Sequence, residues 1–182
     1  GHEAAPLDLA KERQRTCWNS IAYVTTTPTT RDATGWTEYQ DGDRRRYFVP
    51  CPICNAWQLL QWGQVKYPKG VDARTMRREH CATYECAHCG ESIPDAAKRD
   101  VLARGVWVPA GVDVADWTPA ARDADRADHR SYHINAAYSP WLTWSDLAAQ
   151  WLIAKDRPER LQNWVNSWLA EPWEDKIEAP AE

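Results

Sequence analysis

A chain of 182 residues is long enough for one ordinary domain or two small ones, so no disulfide framework is needed to make up for a missing core. Hydrophobic residues at 43% and charged residues at 26% sit near the globular average, which excludes wholesale disorder despite a mean hydropathy of −0.69. A net charge of −4 argues against a surface that clings everywhere to nucleic acid, and apolar stretches no longer than Trp151-Leu152-Ile153-Ala154 exclude a membrane span.

The opening Gly1-His2 has no basic-then-apolar leader and reads as a processed or cut end. Residues 6–16 predict a short helix with Pro6 at its start. Residues 20–25, β-branched and aromatic, predict a strand. It ends in the hydroxyl-rich loop Thr26-Thr27-Pro28-Thr29-Thr30, because proline cannot continue a central strand. Residues 35–42 read as a turn or short helix, and Arg44-Arg45-Arg46-Tyr47-Phe48-Val49 as a strand. Residues 58–67 and 83–85 read as further strands of a small sheet. Residues 94–104 suit a helix stopped by Gly105, and residues 109–128 read as a linker because neither periodicity persists there. In the last third, Ser145 is placed to cap a helix carrying Leu147, Trp151 and Ala154. Pro158 opens a second helix carrying Leu161, Trp164, Val165 and Trp168. With twelve Trp against one Phe and one Met, this Trp stripe reads as core filling first and as a binding face second.

Six cysteines carry the strongest chemical signal. Cys51-Pro52-Ile53-Cys54 and Cys86-Ala87-His88-Cys89 are two CxxC pairs, each able to aim two thiolates and several backbone N–H groups at one metal. Gly90 and Asn55, which follow the second cysteine of each pair, both tolerate the positive φ that such a turn requires. The spacing points to a closed four-sulfur Zn2+ site, with two disulfides as the competing reading. Such a site leaves no position for water and folds the chain instead of catalysing. The 31 residues between Cys54 and Cys86 require an inserted hairpin or long loop. His80, Cys81 and His88 are nearby competitors for the metal, and Cys17 reads as a small buried hydrophobe.

Charge is segregated. From Arg44 to Gly90 eight basic residues face three acidic ones, a local balance of +5, while Glu171 to Glu182 carries −4. No GxxxxGK[ST] occurs, and no carboxylate cluster suits two-metal chemistry; Asp123, Asp125 and Asp128 read as solvated. Asp128-His129 with Asn135 touches on an HNH nuclease pattern, but no later His follows His133, which reads as a structural histidine.

Read end to end, the chain resembles the GpA (lambda-like) family of phage terminase large subunits, from about Leu7 to Glu174. The resemblance rests on Asp8-Leu9-Ala10-Lys11-Glu12-Arg13 before Trp18-Asn19, on Thr26-Thr27-Pro28-Thr29 in the place of the family's Ser-Thr-Pro loop, and on both CxxC pairs with their flanks. His133-Ile134-Asn135-Ala136-Ala137-Tyr138-Ser139-Pro140 and Asn166-Ser167-Trp168-Leu169-Ala170-Glu171-Pro172-Trp173-Glu174 complete it. The sequence departs from the family pattern in lacking basic residues over Asn19-Ser20-Ile21-Ala22, in Thr26 for Ser, and in Asn55 for Gly.

The resemblance implies a middle slice of a longer polypeptide, an ATP-driven motor and endonuclease that packages double-stranded DNA into procapsids. The slice would lie after the Walker motifs and before the nuclease's metal-binding acids, with no catalytic residue of its own; ATP and Mg2+ would bind only to the missing parts. Thr26, Thr27 and Pro28 would form the ATP coupling loop. Cys51, Cys54, Cys86 and Cys89 would hold structural Zn2+, and Arg44, Arg45 and Arg46 would touch the DNA backbone. The implied partners are double-stranded DNA, a small terminase subunit, the portal or procapsid, and further copies in a homo-oligomeric motor, in the cytoplasm of the bacterial host and without a membrane. The expected fold class is α+β, a small zinc-ribbon β module flanked by an ATPase-derived strand segment and a Trp-rich C-terminal helical pair. The expected divisions are residues 1–43 (end of the ATPase domain), 44–105 (zinc ribbon), 106–140 (linker and strand) and 141–182 (helices leading towards the nuclease). The alternative is a stand-alone zinc-ribbon adaptor for nucleic acid or protein, left from a prophage.

Overall fold

The computed structural model describes residues 6–174. Among these residues two small sheets and seven α-helices make a mixed α+β fold around one strand, β1 (Arg45–Pro50). β1 pairs antiparallel with β2 (Trp57–Leu59) through Val49 opposite Gln58, and antiparallel with β6 (Val106–Val108) through Tyr47 opposite Trp107. It also pairs in parallel with β7 (Tyr132–His133) through Arg45 opposite Tyr132. The second sheet is an antiparallel set of β3 (Val65–Lys66), β4 (Thr83–Glu85) and β5 (Ser92–Ile93).

The strand expected over residues 58–67 is broken, and tyrosines break it. Tyr138 Oη accepts from Leu60 N–H (2.8 Å) and donates to the Tyr47 carbonyl (2.7 Å); Tyr84 Oη accepts from Gln61 N–H (3.0 Å) and donates to the Leu59 carbonyl (3.1 Å). These hydroxyls take the backbone partners a ladder would use, the chain turns through a 3₁₀ segment, Trp62–Gln64, and β3 joins the other sheet. Burial pushes the Tyr84 phenol up to about 12 and the Tyr138 phenol higher still, so both remain neutral.

Around the sheets lie α1 (Pro6–Glu12), α2 (Thr34–Asp41), α3 (Ala73–Glu79), α4 (Asp95–Ala103), α5 (Pro119–Ala124), α6 (Trp144–Ala154) and α7 (Pro158–Trp164). The last runs into a π turn, Val165–Leu169, that stops at Ala170 with φ 56°. Val49, Leu60, Met76, Tyr84, Ile93 and Trp144 belong to one buried cluster that both sheets, α3 and α6 share. Lys98 on α4 is buried there too. Its Nζ donates to the Leu142 carbonyl (2.5 Å) and lies 4.3 Å from the Trp144 ring centre.

Four other expectations are corrected. Residues 20–25 belong to no strand: Ile21 is 85% and Tyr23 86% exposed. β-propensity is expressed only against cross-strand neighbours, and among the described residues none lies beside this segment. A cleft of about 1010 Å³ runs between it and the open side of β7. The linker over residues 109–128 contains α5, capped by Thr118 Oγ1 on Ala121 N–H (3.2 Å) with Pro119 in the first turn. The cap of α6 is Thr143, in a reciprocal capping box with Asp146; Ser145 is buried, and its Oγ accepts from Ala82 N–H (2.9 Å). Cys17 is exposed.

Candidate metal centre

The two CxxC turns are built alike. Cys51 follows β1, its carbonyl accepts from Asn55 N–H (3.0 Å), and its own N–H donates to the Ala56 carbonyl (2.9 Å). Cys86 follows β4, its carbonyl accepts from Gly90 N–H (3.0 Å), and its N–H donates to the Glu91 carbonyl (2.9 Å). Asn55 and Gly90 take φ of 59° and 74°, the left-handed conformation that closes each turn. In both turns the N–H two residues after the first cysteine, Ile53 or His88, points at its sulfur at 3.4 Å.

The four Sγ atoms of Cys51, Cys54, Cys86 and Cys89 all lie within 4.8 Å of one another. Cys51 to Cys89 is 4.0 Å and Cys54 to Cys86 is 3.9 Å. Those separations are far beyond a disulfide's roughly 2.05 Å. They match the edge of about 3.8 Å that a tetrahedron with Zn–S of about 2.3 Å has. Cys51 and Cys86 are buried while Cys54 and Cys89 face solvent. Against burial, the N–H groups of Cys89 and His88 and the neighbouring thiols hold Cys86 down to about 7. The Glu91 N–H favours ionised Cys89, but partial loss of hydration beside the cluster and the other three sulfurs push that thiol up to about 12. Four thiols so close cannot all ionise unaided, and a divalent cation is what lets them. The donor set therefore fits a metal.

The second turn is registered on the first through β2. Gln58 Oε1 accepts from Ala87 N–H (3.1 Å), and His88 Nε2 donates to the Trp57 carbonyl (3.0 Å). His88 thus spends its ring on a backbone carbonyl, and neither it nor Cys81 nor His80 joins the sulfur cluster. Sequence reasoning missed Gln58; its one signal was a polar residue set among the apolar residues of a strand next to a CxxC pair.

The other singled-out residues lie elsewhere. Thr26 and Thr27 are exposed and Pro28 is buried. A Cβ on Gly35, in α2, would overlap Thr26 Cγ2, so the loop sits hard against the start of α2. Arg44 and Arg46 are exposed, but Arg45 is buried. Its guanidinium donates to Asp43 (2.7 Å) and Asp125 (2.5 Å) between the rings of Trp117 and Tyr132, and Arg130 also reaches Asp125 at 3.3 Å. This network holds the Asp125 carboxyl below the usual range. The Arg45 guanidinium is therefore already paired inside the fold, and Asp125 is not merely solvated. His133 is half-buried with Nε2 donating to the Ala170 carbonyl (2.8 Å); burial, with help from nearby Arg46, keeps its imidazole below its ordinary range despite that bond. No helix among the described residues is long and apolar enough to cross a membrane.

Two family models match. The model described as the phage terminase large subunit gpA ATPase domain covers residues 1–107, through both CxxC pairs, and that of the terminase large subunit gpA endonuclease domain covers residues 129–182. The terminase large subunit of Enterobacteria phage P21 is 32% identical over 136 residues, and that of Escherichia phage lambda is 28% identical over the same length. Each alignment covers 72% of this chain and 21% of the relative. No solved structure matches. The chain thus spans about a fifth of the length of these curated relatives, and the segment that carries the four sulfurs lies inside the ATPase-domain match. With one family model covering more than half of its residues and a second covering most of the rest, the chain belongs to the gpA family of phage terminase large subunits.

Proposed function

We propose that these residues form the joint between the motor and the nuclease of a phage terminase large subunit, a protein that packages double-stranded DNA into procapsids with ATP and cuts it. Support comes from the order of the two matches along one chain, ATPase domain first and endonuclease domain second, with the four-sulfur cluster before the changeover. In this reading Cys51, Cys54, Cys86 and Cys89 hold one structural Zn2+ in a zinc ribbon, and its closed sulfur shell folds the joint without taking part in a reaction. Thr26, Thr27 and Pro28 form the loop that reports the nucleotide state. ATP and Mg2+ bind outside these residues. Arg44 and Arg46, exposed at the start of β1, neutralise DNA phosphates, whereas Arg45 holds the 117–132 segment to β1. The partners are DNA, a small terminase subunit, the portal and further copies of the polypeptide, in the host cytoplasm. A stand-alone adaptor fits less well, because it gives no reason for two different terminase domains to match on either side.

The carrying observation is the set of sulfur separations, and metal analysis tests it. The purified chain is expected to hold about one zinc. Cys54→Ser and Cys86→Ser are each expected to lose it and to melt at lower temperature. Full zinc content with unchanged melting in both variants would overturn the site. The coupling role has its own test: Thr27→Ala in the full-length polypeptide is expected to uncouple ATP turnover from DNA packaging, and unimpaired packaging would remove the loop from the mechanism.

A further inference from the structure

The portions matched by the two family models share the buried interior described above, and away from that interior a second set of contacts joins them beside the Thr26–Pro28 loop. The Thr29 carbonyl accepts from Trp173 N–H at 2.9 Å, and the Arg31 guanidinium pairs with the Glu174 carboxylate. A second link runs from α2. Trp36 meets the His133 ring edge-on with centres 6.3 Å apart, Tyr39 lies 5.7 Å from it, and His133 holds the Ala170 carbonyl. α2 in turn begins at Thr34, and its Gly35 has Thr26 in the space a Cβ would need. The contacts close a circuit from Thr26 through α2, His133 and Ala170 to Trp173, and back to Thr29, three residues after the start.

The segment closed by this circuit has an unusual local geometry. The π turn Val165–Leu169 ends on Ala170 in the left-handed region, and the Val165 carbonyl accepts from both Ala170 N–H and Glu171 N–H (3.2 Å). Ala170 is held there by these two bonds and by His133 on its carbonyl, while the Thr29 and Arg31 contacts fasten Trp173 and Glu174 just beyond it.

We propose that residues 170–174 are a strap through which the ATPase-matched portion grips the endonuclease-matched portion, and that the position of the Thr26–Pro28 loop decides whether the strap is seated. The inference deepens the coupling reading above by naming where that loop's state is felt. Seated, the strap keeps the π turn wound and Ala170 left-handed. When the loop shifts against Gly35, α2 and its aromatic pair move from His133, and the strap loses its two anchors together.

Amide hydrogen exchange of Trp173 in the whole chain tests this. Gly35→Ala forces the loop away from α2 and is expected to speed that exchange by about tenfold. Exchange at Val49 and Met76 in the core, and the zinc content, should stay as they were. Thr26→Ala in the same chain frees part of the space and should bring the rate part of the way back. Arg31→Glu removes an exposed ion pair without touching the interior, so a rise of about two- to fivefold is expected from it even if Gly35→Ala folds poorly. Trp173 exchange indifferent to both Gly35→Ala and Arg31→Glu would overturn the strap. That outcome is separate from the fate of the coupling reading: packaging unimpaired by Thr27→Ala would end the loop's role in the motor and leave the exchange result standing.

Discussion

Gln58 keeps its amide in the interior with one arm satisfied. Its Oε1 takes Ala87 N–H from the second cysteine turn, while its Nε2 has no partner among the described residues. Holding a buried amide half-paired costs about 1–3 kcal/mol, so the side chain's presence points to the turn it positions. Gln58→Leu keeps the volume and releases Ala87. The expected outcome is a folded chain whose zinc affinity falls by about tenfold to a hundredfold in chelator competition; unchanged affinity would mean that the sulfurs alone set the site. Lys98 gives a prediction in pH. Burial lowers its ammonium from 10.5 to about 8, with the Asp95 and Asp146 carboxylates pulling the other way. Between those two values the unfolded chain binds more protons than the folded one, so stability rises as pH goes from about 8 to about 10.5, and below pH 8 the full penalty is present. Urea unfolding at pH 7.5 and pH 10 should show Lys98→Met lacking a gain on the order of 2 kcal/mol that the natural chain has. The buried tyrosines act on both chains alike and cancel in the difference. Equal pH dependence in the two would count against a buried ammonium. At this scale the sequence was legible where a residue's type answers a local demand, as at Asn55 and Gly90. Arg45 was illegible, because its partner Asp125 is 80 residues away and nothing local separates it from Arg44 and Arg46.

Among the elements, α6 shows how a readable signal can be misplaced. Thr143 and Asp146 stand three apart, the spacing of a capping box, while Ser145 two residues later fits the looser rule of a hydroxyl before an apolar run. The box wins because it satisfies two backbone N–H groups reciprocally, leaving Ser145 free to serve Ala82 from the buried face. Thr143→Ala should cost about 1 kcal/mol in chemical unfolding, and no loss would show the cap to be idle. α5 had its Thr118-Pro119 start in plain view but no apolar face to confirm it; none of its residues is buried. The segment over residues 20–25 is the reverse case. Its composition favours a strand, yet pairing needs a neighbour, and no composition supplies one. The helices at the end were legible from periodicity, since Leu147, Ala154 and Trp164 are buried as their spacing requires.

At the scale of the molecule, the buried cluster does not respect the divisions drawn along the chain. Val49 from β1, Cys51 from the first cysteine turn, Cys86 from the second, Tyr138 beyond the linker and Trp144 from α6 share one interior. Zinc removal should therefore not melt a ribbon and spare the rest. Far-ultraviolet dichroism and tryptophan fluorescence are expected to follow one transition on titration with a chelator, and two separated transitions would show that the helices stand without the metal. The charge segregation seen in the sequence gave no hint of this shared interior, because burial depends on which sheets the tyrosine hydroxyls separate and join.

The parallel pairing of β7 with β1 bears on how such genes can be exchanged. Arg45 and Arg46 lie in the ATPase-domain match, and Tyr132 and His133 in the endonuclease-domain match. A recombinant whose crossover falls between residues 107 and 129 inherits β1 from one parent and β7, Tyr138 and Trp144 from the other. The boundary that looks most modular along the gene is therefore one where a hybrid must reconcile two lineages inside a single hydrophobic interior. Exchanges between distant relatives that keep the protein folded should carry residues 45–154 as a block.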